Sequence, residues 1–339
     1  MAMDETWKVL IHPFASGALE MPGEGRQALF LGARPGVRMP EDFSAALHTV
    51  QSFRPHFLAL REEGFVVAPR AEGEGYDLAL ILCGRHRERN EAHLAEALLR
   101  TRPGSVIVVG GSKAEGVASL RKRVGSLMAI EGSLSKYHGV AFWLHRPDNI
   151  NDAVLALRAE RALVEGRYET AAGSFSHDKI DPGSALFACS LPHDLQGDIA
   201  DFCAGWGYLS AELLARNPPL ARLDLYEADY ESLEAARRNL VPYEAHANLG
   251  FYWLDLIDEP VGRHYDIILM NPPFHQGRAT EPSIGREMIR AAARALKPGG
   301  RLILVANRPL PYEGVLAEAF SAHGELARDD SFKVLWGRR

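Results

Sequence analysis

Tyr265–Met270 reads YDIILM, and Tyr76–Leu82 reads YDLALIL. After each of these stretches come a helix-length segment, a Pro-Gly turn and a second apolar run. A β-α-β unit with a continuous apolar run in each strand predicts a parallel sheet that helices cover on both faces. Because this order of elements occurs twice in 339 residues, the sequence predicts an α/β protein of two tandem doubly wound, Rossmann-like domains.

Further alternation in the second half supports this fold. The expected elements are strands at 198–203, 222–227 and about 250–254, and helices at 208–216 and 230–240. A turn-rich stretch, RPDNIN at 146–151, separates the halves. We therefore expect a first domain at 1–150 and a second domain at 151–339.

Composition excludes several classes of protein. No run approaches the roughly 20 apolar residues of a membrane span, and an acidic N-terminus is unlike a secretory signal, so we expect a cytoplasmic protein without a membrane partner. Three cysteines without a CxxC pair argue against a disulfide framework or a zinc site. The net charge of -6 argues against a generic nucleic-acid binder. Residues 1–160 carry 19 basic and 19 acidic residues, and residues 161–339 carry the other 19 basic and 25 acidic residues. The whole net charge therefore lies in the second half.

The stretch DFCAGWG at 201–207 lies between an expected strand and an expected helix. Glycines at such a turn let a ligand approach the backbone, and the helix N-terminus offers unpaired N–H groups to an anionic group. Taken alone, the turn is equally compatible with a tight strand-to-helix connection that binds nothing.

Three neighbouring residues favour a nucleoside cofactor at this loop. Glu227 ends the next strand, where a carboxylate can bind both ribose hydroxyls, and Asp255 follows the strand after that, where an adenine would lie. Ser210 replaces the third glycine of a dinucleotide fingerprint. The cofactor that combines an adenosine with an amino-acid tail is S-adenosylmethionine.

The strand at Tyr265–Met270 ends in Asn271-Pro272-Pro273-Phe274. Two prolines fix a rigid turn, so the Asn271 side-chain oxygen and the Pro272 carbonyl can accept both hydrogens of a planar exocyclic amine while Phe274 stacks on its ring. Catalysis of this kind is positioning and electrostatics, and it requires no catalytic histidine, cysteine or metal. For the Pro-Pro pair alone, an ordinary chain reversal is the alternative.

The first copy of the repeat lacks these groups. When the two halves are aligned on the Tyr-Asp pair, Leu82 stands at the position of Asn271 and Arg85 at that of Phe274. When they are aligned on the glycine loop, Phe30 stands at the position of Asp201 and Arg34 at that of Gly205. We therefore expect the first domain neither to bind the cofactor nor to catalyse, and to be a structural or RNA-docking module.

These motifs, with VANRPLPY at 305–312, resemble the ribosomal RNA guanine-N2 methyltransferases of the RsmC/RlmG type, within the class I S-adenosylmethionine-dependent superfamily. FSHD at 175–178 and DPGS at 181–184 look like the segment that precedes the cofactor loop in that family. The resemblance is specific over 165–339. Over 1–150 it rests on the duplicated layout and on a glycine pattern near 109–116.

The resemblance implies a catalytic class I methyltransferase fold in the second half and a degenerate copy in the first. It also implies methyl transfer to a guanine N2 of ribosomal RNA, with 16S RNA of the small subunit favoured. By the same resemblance, Gly205 and Gly207 lie under the methionine moiety of the cofactor, with Cys203 in the same loop, and Asp201 binds the amino group of that moiety. Glu227 binds the ribose and Asp255 the adenine. Asn271 is the catalytic residue. Trp206, where smaller residues are common in the family, is expected to narrow the pocket.

An RNA substrate requires the target base to leave its stack, and phosphate contacts help to offset that cost. We expect these contacts from Arg85, Arg87, Arg278 and Arg308. The expected partner is ribosomal RNA or a ribosomal subunit, the expected metal content is none, and the protein is expected to be a monomer.

Four alternatives remain open from the sequence. They are a 23S RNA guanine-N2 methyltransferase, a protein-glutamine N5 methyltransferase that holds a planar carboxamide in the same turn, a non-catalytic RNA-binding assembly factor, and a nicotinamide-dependent dehydrogenase. Tyr is usual at the position of Phe274 in the glutamine enzymes. Ser210 disfavours the dehydrogenase.

Overall fold

A computed structural model describes residues 5–158, 163–245, 247–273, 275–276, 279–280 and 282–339. The chain divides into two compact units, residues 1–161 and 162–339. This division falls later than the boundary expected at 150, because helix α5 (Asn151–Leu157) packs on helix α3 (Arg87–Arg100) of the first unit. The turn-rich stretch therefore lies inside the first unit.

The first unit alternates strands and helices after an initial helix. Its other helices are α1 (Trp7–Ala15), α2 (Arg54–Glu62) and α4 (Val117–Gly125). Its strands are β1 (Gln27–Leu31), β2 (Ala46–Val50), β3 (Val67–Ala68), β4 (Tyr76–Leu82), β5 (Thr101–Ser112), β6 (Gly132–Lys136) and β7 (Gly139–His145).

The second unit repeats this alternation. Its helices are α6 (Pro182–Ser190), α7 (Tyr208–Ala215), α8 (Tyr230–Leu240), α9 (Pro282–Ala295) and α10 (Glu313–Ala319). Its strands are β8 (Gly197–Phe202), β9 (Leu220–Glu227), β10 (Leu249–Trp253), β11 (Tyr265–Met270), β12 (His275–Gln276), β13 (Ala279–Thr280), β14 (Leu296–Asn307), β15 (Ala322–Arg328) and β16 (Phe332–Arg338).

The main sheets of the two units share one strand order within the described residues. They run β3-β2-β1-β4-β5-β7-β6 and β10-β9-β8-β11-β14-β16-β15. Neighbouring strands are parallel, except that β7 and β16 are antiparallel to both of their neighbours. The sheets are therefore mixed, whereas the sequence predicts parallel ones. In the first unit the hairpin is hard to recognise from sequence. Tyr137 and His138 join β6 to β7 with the positive φ angles of a tight hairpin, but without the usual Asn or Gly.

The strand pairing of the first unit matches that of the second, as the two sequence alignments predict, although the segments between the strands differ in length. Phe30 pairs with Leu80 in the first sheet in the way that Asp201 pairs with Leu269 in the second. The irregularity at the Pro-Gly turns is also shared. Over two residues of β4, the pairing partner in β5 advances by five residues, from Thr101 to Val106. Over two residues of β11, the partner in β14 likewise advances from Leu296 to Arg301. Both Pro-Gly turns therefore lie in bulges of long strands.

One aspartate joins the first and fourth strands in each unit. Asp266 Oδ2 accepts a hydrogen bond from the backbone N–H of Asp198 at 2.8 Å and from Lys297 Nζ at 2.8 Å. Asp77 Oδ2 accepts from the backbone N–H of Gln27 at 2.8 Å. These contacts explain why a Tyr-Asp pair opens both strands.

Gly285 is the point at which helix α9 packs against the buried side chain of Tyr312. A methyl group on Gly285 would collide with the hydroxyl and ring of Tyr312, which is fully buried. Gly314 in α10 faces open space.

We predict that Gly285→Ala lowers the free energy of unfolding by about 1–3 kcal/mol, because the Tyr312 ring must shift in a packed core. Thermal unfolding measures the change. Gly314→Ala is the matched control and is expected to be neutral or to stabilise by up to about 1 kcal/mol, since alanine is the better helix former. Equal effects of the two substitutions would contradict the packing argument.

Candidate functional site

The strand order of the second sheet reverses between β8 and β11, whose carboxyl ends lie side by side. Open α/β sheets bind ligands in the crevice at such a reversal. Asp201 and the loop after it leave the sheet from β8, and Asn271 follows β11. The fold therefore brings the two predicted motifs to one edge of the sheet.

Asp201 is fully buried near the end of β8. Its Oδ2 accepts a hydrogen bond from Ser210 Oγ at 2.7 Å, and its Oδ1 has no partner among the described residues. Burial raises the pKa of Asp201 to about 7, although the bond from Ser210 acts in the opposite direction. A cationic group beside Oδ1 would favour the ionised carboxylate.

Glu227 ends β9, the strand beside β8. Its Oε2 accepts the backbone N–H of Gly205 at 2.8 Å, and its Oε1 accepts the backbone N–H of Asp229 at 2.8 Å. Burial raises the pKa of Glu227 to about 7 against the effect of these bonds. A carboxylate has about four acceptor sites, so Glu227 keeps capacity for a further donor beside these backbone contacts.

The glycine loop combines left-handed backbone with open space. Gly205 and Gly207 have φ angles of +55° and +87°, and Cys203 has φ 61°. A Cβ on Gly205 would meet nothing within 4 Å, whereas a Cβ on Gly207 would lie 3.0 Å from the Cβ of Ala236. Gly205 therefore leaves room above the loop, and Gly207 lets helices α7 and α8 approach each other.

The loop also contains the side chains of Trp206 and Cys203, which are buried and partly buried, respectively. Trp206 is buried, and its ring centroid lies 5.2 Å from that of Tyr168 and 5.7 Å from that of Tyr208. It fills the core of the unit, so the expectation that Trp206 narrows the pocket is wrong. Burial, with the nearby Glu227, raises the pKa of the Cys203 thiol well above its usual range, so Cys203 stays protonated.

Asp255 lies two residues after β10 and is buried. Its Oδ1 accepts the backbone N–H of Ile257 at 3.0 Å, and its own N–H donates to Glu259. Burial raises its pKa. This carboxyl group shapes the turn after β10, and its Oδ1 retains capacity for another donor.

The Asn271 amide is held on its nitrogen side. Its Nδ2 donates to Ser184 Oγ at 2.7 Å and lies 3.4 Å from Asp181 Oδ2, and both partners belong to the start of helix α6. Its Oδ1 is buried and has no partner among the described residues. The side chain thus offers one acceptor oxygen in a fixed orientation.

The remaining predicted residues are scattered. Pro272 is buried and Pro273 is exposed, while Phe274 and Arg278 lie outside the described residues. Arg308 is exposed after β14. Arg85 and Arg87 are exposed in the first unit before and at the start of α3, and Arg87 lies 3.6 Å from Glu91.

The same crevice in the first unit is filled by its own side chains. Arg34, at the position of Gly205, donates from Nη2 to the Cys83 carbonyl at 2.8 Å and pairs with Glu115 at 3.3 Å. Gln51 stands at the position of Glu227, and it donates to the Ala33 carbonyl at 2.6 Å. Phe30 replaces Asp201 in the core.

Sequence reasoning missed Ser210, Asp181 and Ser184 as parts of this site. Ser210 appeared only as the missing glycine, yet its hydroxyl binds Asp201. The pattern Asp181-Pro182 does signal a helix N-terminus, because aspartate caps helices and proline favours their first turn. Nothing local indicates that this cap lies against Asn271.

Among the described residues, no group of three or more His, Cys, Asp or Glu side chains is arranged to hold a metal ion. No helix in that part of the chain has the length and apolar character that crossing a bilayer demands.

Residues 165–336 match the model of the methyltransferase small domain family. "Ribosomal RNA small subunit methyltransferase C" of Salmonella choleraesuis (strain SC-B67) is 37% identical over 166 residues, which cover 49% of this chain and 47% of that protein. The protein of the same name from Klebsiella pneumoniae is 35% identical over 179 residues, 53% of this chain and 51% of its own. The chain thus spans about half the length of the curated relatives it matches.

A solved structure extends the likeness to almost the whole chain. It is the "T. Thermophilus 16S rRNA N2 G1207 methyltransferase (RsmC) in complex with AdoMet and Guanosine", with a TM-score of 0.76 and 24% identity over 99% of this chain and 93% of that one. This likeness shows the fold, two tandem doubly wound units of the class I methyltransferase type, as the sequence predicts.

We predict that the unfolding free energy of the protein falls between pH 5 and pH 7, and falls less in Asp201→Asn. The pKa of Asp201 is about 7 in the folded state and near 4 when unfolded. A raised folded pKa gives stability that is complete below the unfolded value and is lost as pH rises through the folded value. Each unit of difference is worth roughly 1.4 kcal/mol.

Denaturant unfolding at several pH values measures this dependence without added ligand. Asp266→Asn is the control, because hydrogen bonds from Lys297 and from the Asp198 backbone lower the pKa of Asp266 in spite of its burial. Its contribution is lost only in acid, so the slope from pH 5 to pH 7 should not change. A wild-type slope in Asp201→Asn would refute the assignment.

Proposed function

The chain belongs to the methyltransferase small domain family, and on that premise we propose that it methylates the exocyclic N2 amine of a guanine in ribosomal RNA. S-adenosylmethionine is the proposed methyl donor, and 16S RNA of the small subunit is the favoured substrate. The second unit is the proposed catalytic unit. The observation that carries the proposal is the Asn271 amide, whose nitrogen is held and whose oxygen has no partner among the described residues.

The residues at the end of β8 and β9 fit this donor. S-adenosylmethionine, when bound, supplies a methyl group activated by a positively charged sulfur. Asp201 Oδ1 is a buried acceptor without a described partner, which suits the ammonium of an amino-acid tail. The open space at Gly205 suits the tail itself, and Glu227 suits the ribose hydroxyls.

Asn271 and Pro272 are proposed to hold the nucleophile. An aromatic amine is a poor nucleophile because its lone pair is delocalised into the ring. Two acceptors that bind both of its hydrogens orient the nitrogen and stabilise the positive charge that it develops. Asn271 Oδ1 is one acceptor, and the Pro272 carbonyl is the second. Stacking by Phe274 stays a prediction.

A contact in the first unit supports its role as a degenerate copy. The Cys83 carbonyl is the counterpart of the Pro272 carbonyl, and it accepts a hydrogen bond from the Arg34 guanidinium of the same unit. With Gln51 and Phe30 in place of Glu227 and Asp201, the first unit is proposed to be non-catalytic.

The names of the relatives favour ribosomal RNA of the small subunit. The Thermus protein with this fold was solved with guanosine, which favours the same base. A 23S RNA guanine or a protein glutamine are the alternative acceptors. RNA docking through Arg85, Arg87, Arg278 and Arg308, a monomeric state and a cytoplasmic location stay predictions.

We predict that deletion of the gene removes one N2-methylguanine from ribosomal RNA, and that wild-type protein restores it while Asn271→Ala does not. Loss of one positioned acceptor is expected to lower kcat by about 10²–10³-fold, the range seen for a single oxyanion-hole donor. Mass mapping of 16S and 23S RNA locates the methylated base. Calorimetry with S-adenosylmethionine is the control, because Asn271→Ala should bind it as the wild type does.

Three outcomes would contradict parts of this proposal. Unchanged ribosomal RNA in the deletion strain would refute the substrate. A lost mark in 23S RNA would refute the small subunit. Methylation restored by Asn271→Ala would refute the role of that residue.

We predict that RNA binding weakens with salt, and that Arg85→Ala reduces the slope of log K against log[salt] by about 0.7 to 0.9, the value of one phosphate contact. Fluorescence titration of RNA from 50 to 200 mM salt measures the slope. Arg290, exposed and paired with Glu318 at 3.1 Å, provides the control substitution to Ala. An identical slope for Arg85→Ala and wild type would exclude Arg85 from the RNA interface.

A further inference from the structure

The start of helix α6 determines which face of the Asn271 amide is free. Asn271 Nδ2 donates to Ser184 Oγ at 2.7 Å, and Asp181 Oδ2 lies 3.4 Å away on the same side. Both partners are nine-tenths buried. An inverted amide would place its oxygen against Asp181 Oδ2, and two acceptors repel each other, so only one orientation is compatible with these contacts.

Asp181 is itself fixed by the helix that it caps. Its Oδ2 accepts the backbone N–H of Ser184 at 2.7 Å, and Pro182 follows in the first turn. A Cβ on Gly183 would lie 2.8 Å from the ring of Phe332 in β16, so the glycine lets the helix start approach the sheet closely. Packing and capping thus hold both partners of Asn271 on rigid elements.

We propose that Asp181 and Ser184 are positioning residues that aim Asn271 Oδ1 at the amine to be methylated. This inference rests on the proposed function. With an inverted amide, Asn271 would present N–H donors to an amine that is itself a donor. The Asp181 carboxylate also polarises the amide through Nδ2, which makes Oδ1 a stronger acceptor as the amine nitrogen gains positive charge.

This role predicts a loss in turnover rather than in binding. Asp181 and Ser184 act through Asn271, whose contact with the amine strengthens in the transition state, so kcat changes while KM and the affinity for S-adenosylmethionine do not. We expect Ser184→Ala to lower kcat about 10- to 100-fold, the scale of a small misplacement of a catalytic group. Ser184→Thr keeps the hydroxyl and should restore most of the rate.

A double-mutant cycle separates this role from a structural one. In an Asn271→Ala background, Ser184→Ala should have almost no further effect on kcat, because the Ser184 hydroxyl then has no amide to orient. Asp181→Asn keeps a capping side chain, so the fold is retained, and removes the charge. Asp181→Asn should lower kcat, and it should not lower the thermal unfolding temperature by more than the control substitution Ser232→Ala does.

Ser232→Ala is the matched control. Ser232 stands in the same relation to the cap of α8: Asp229 Oδ1 accepts its N–H at 3.0 Å, and its Oγ lies 3.2 Å from the same atom. Among the hydrogen bonds of the described residues, Asn271 is bound by Ser184 and Asp181 and not by Ser232. Its substitution removes an equivalent hydroxyl and should leave kcat unchanged.

Single-turnover and steady-state methylation of the RNA by purified full-length protein provide the readout. Wild-type protein that methylates no guanine would overturn the proposed function. Wild-type turnover with an unchanged kcat in Ser184→Ala, or independent effects of Ser184→Ala and Asn271→Ala that multiply, would overturn the positioning role alone.

Discussion

The parallel pairing of β8 with β11 is the constraint on which the site depends. Phe202 pairs with Met270, so the chain leaves the sheet from both strands at the same level. Asp201 and Asn271 are far apart in sequence, and only this pairing brings their loops to one crevice. The clamp of Asp266 on the Asp198 backbone and on Lys297 fixes the opposite ends of the same two strands.

The parts of the structure that sequence predicted are those with local chemistry. Glycines that adopt positive φ mark the loop at Gly205 and Gly207, and prolines mark the turn after Asn271, because these residues constrain their own backbone. The apolar runs of β4 and β11 also identify themselves, since strands buried on both faces lack polar residues. The doubled fold therefore followed from the sequence.

What sequence did not predict depends on distant partners. The role of Ser184 appears only when α6 packs at the end of β11. Its local pattern indicates a helix cap, and the family resemblance marks it only as part of the segment before the cofactor loop. In the first unit, Tyr137 and His138 form a tight turn without the usual turn residues, so nothing local marks the antiparallel edge there. Trp206 was assigned to the pocket by its place in the loop, but contacts with Tyr168 take it into the core.

The two units treat the same crevice in opposite ways. In the first, Arg34 and Gln51 donate to nearby carbonyls, so the unit's own side chains occupy its crevice. In the second, Asp201 and Asn271 each keep a buried oxygen without a described partner, and such an atom costs about 1–3 kcal/mol. A ligand that binds these oxygens removes that cost, so by mass action the second unit resists unfolding and proteolysis better with its ligands bound than without them.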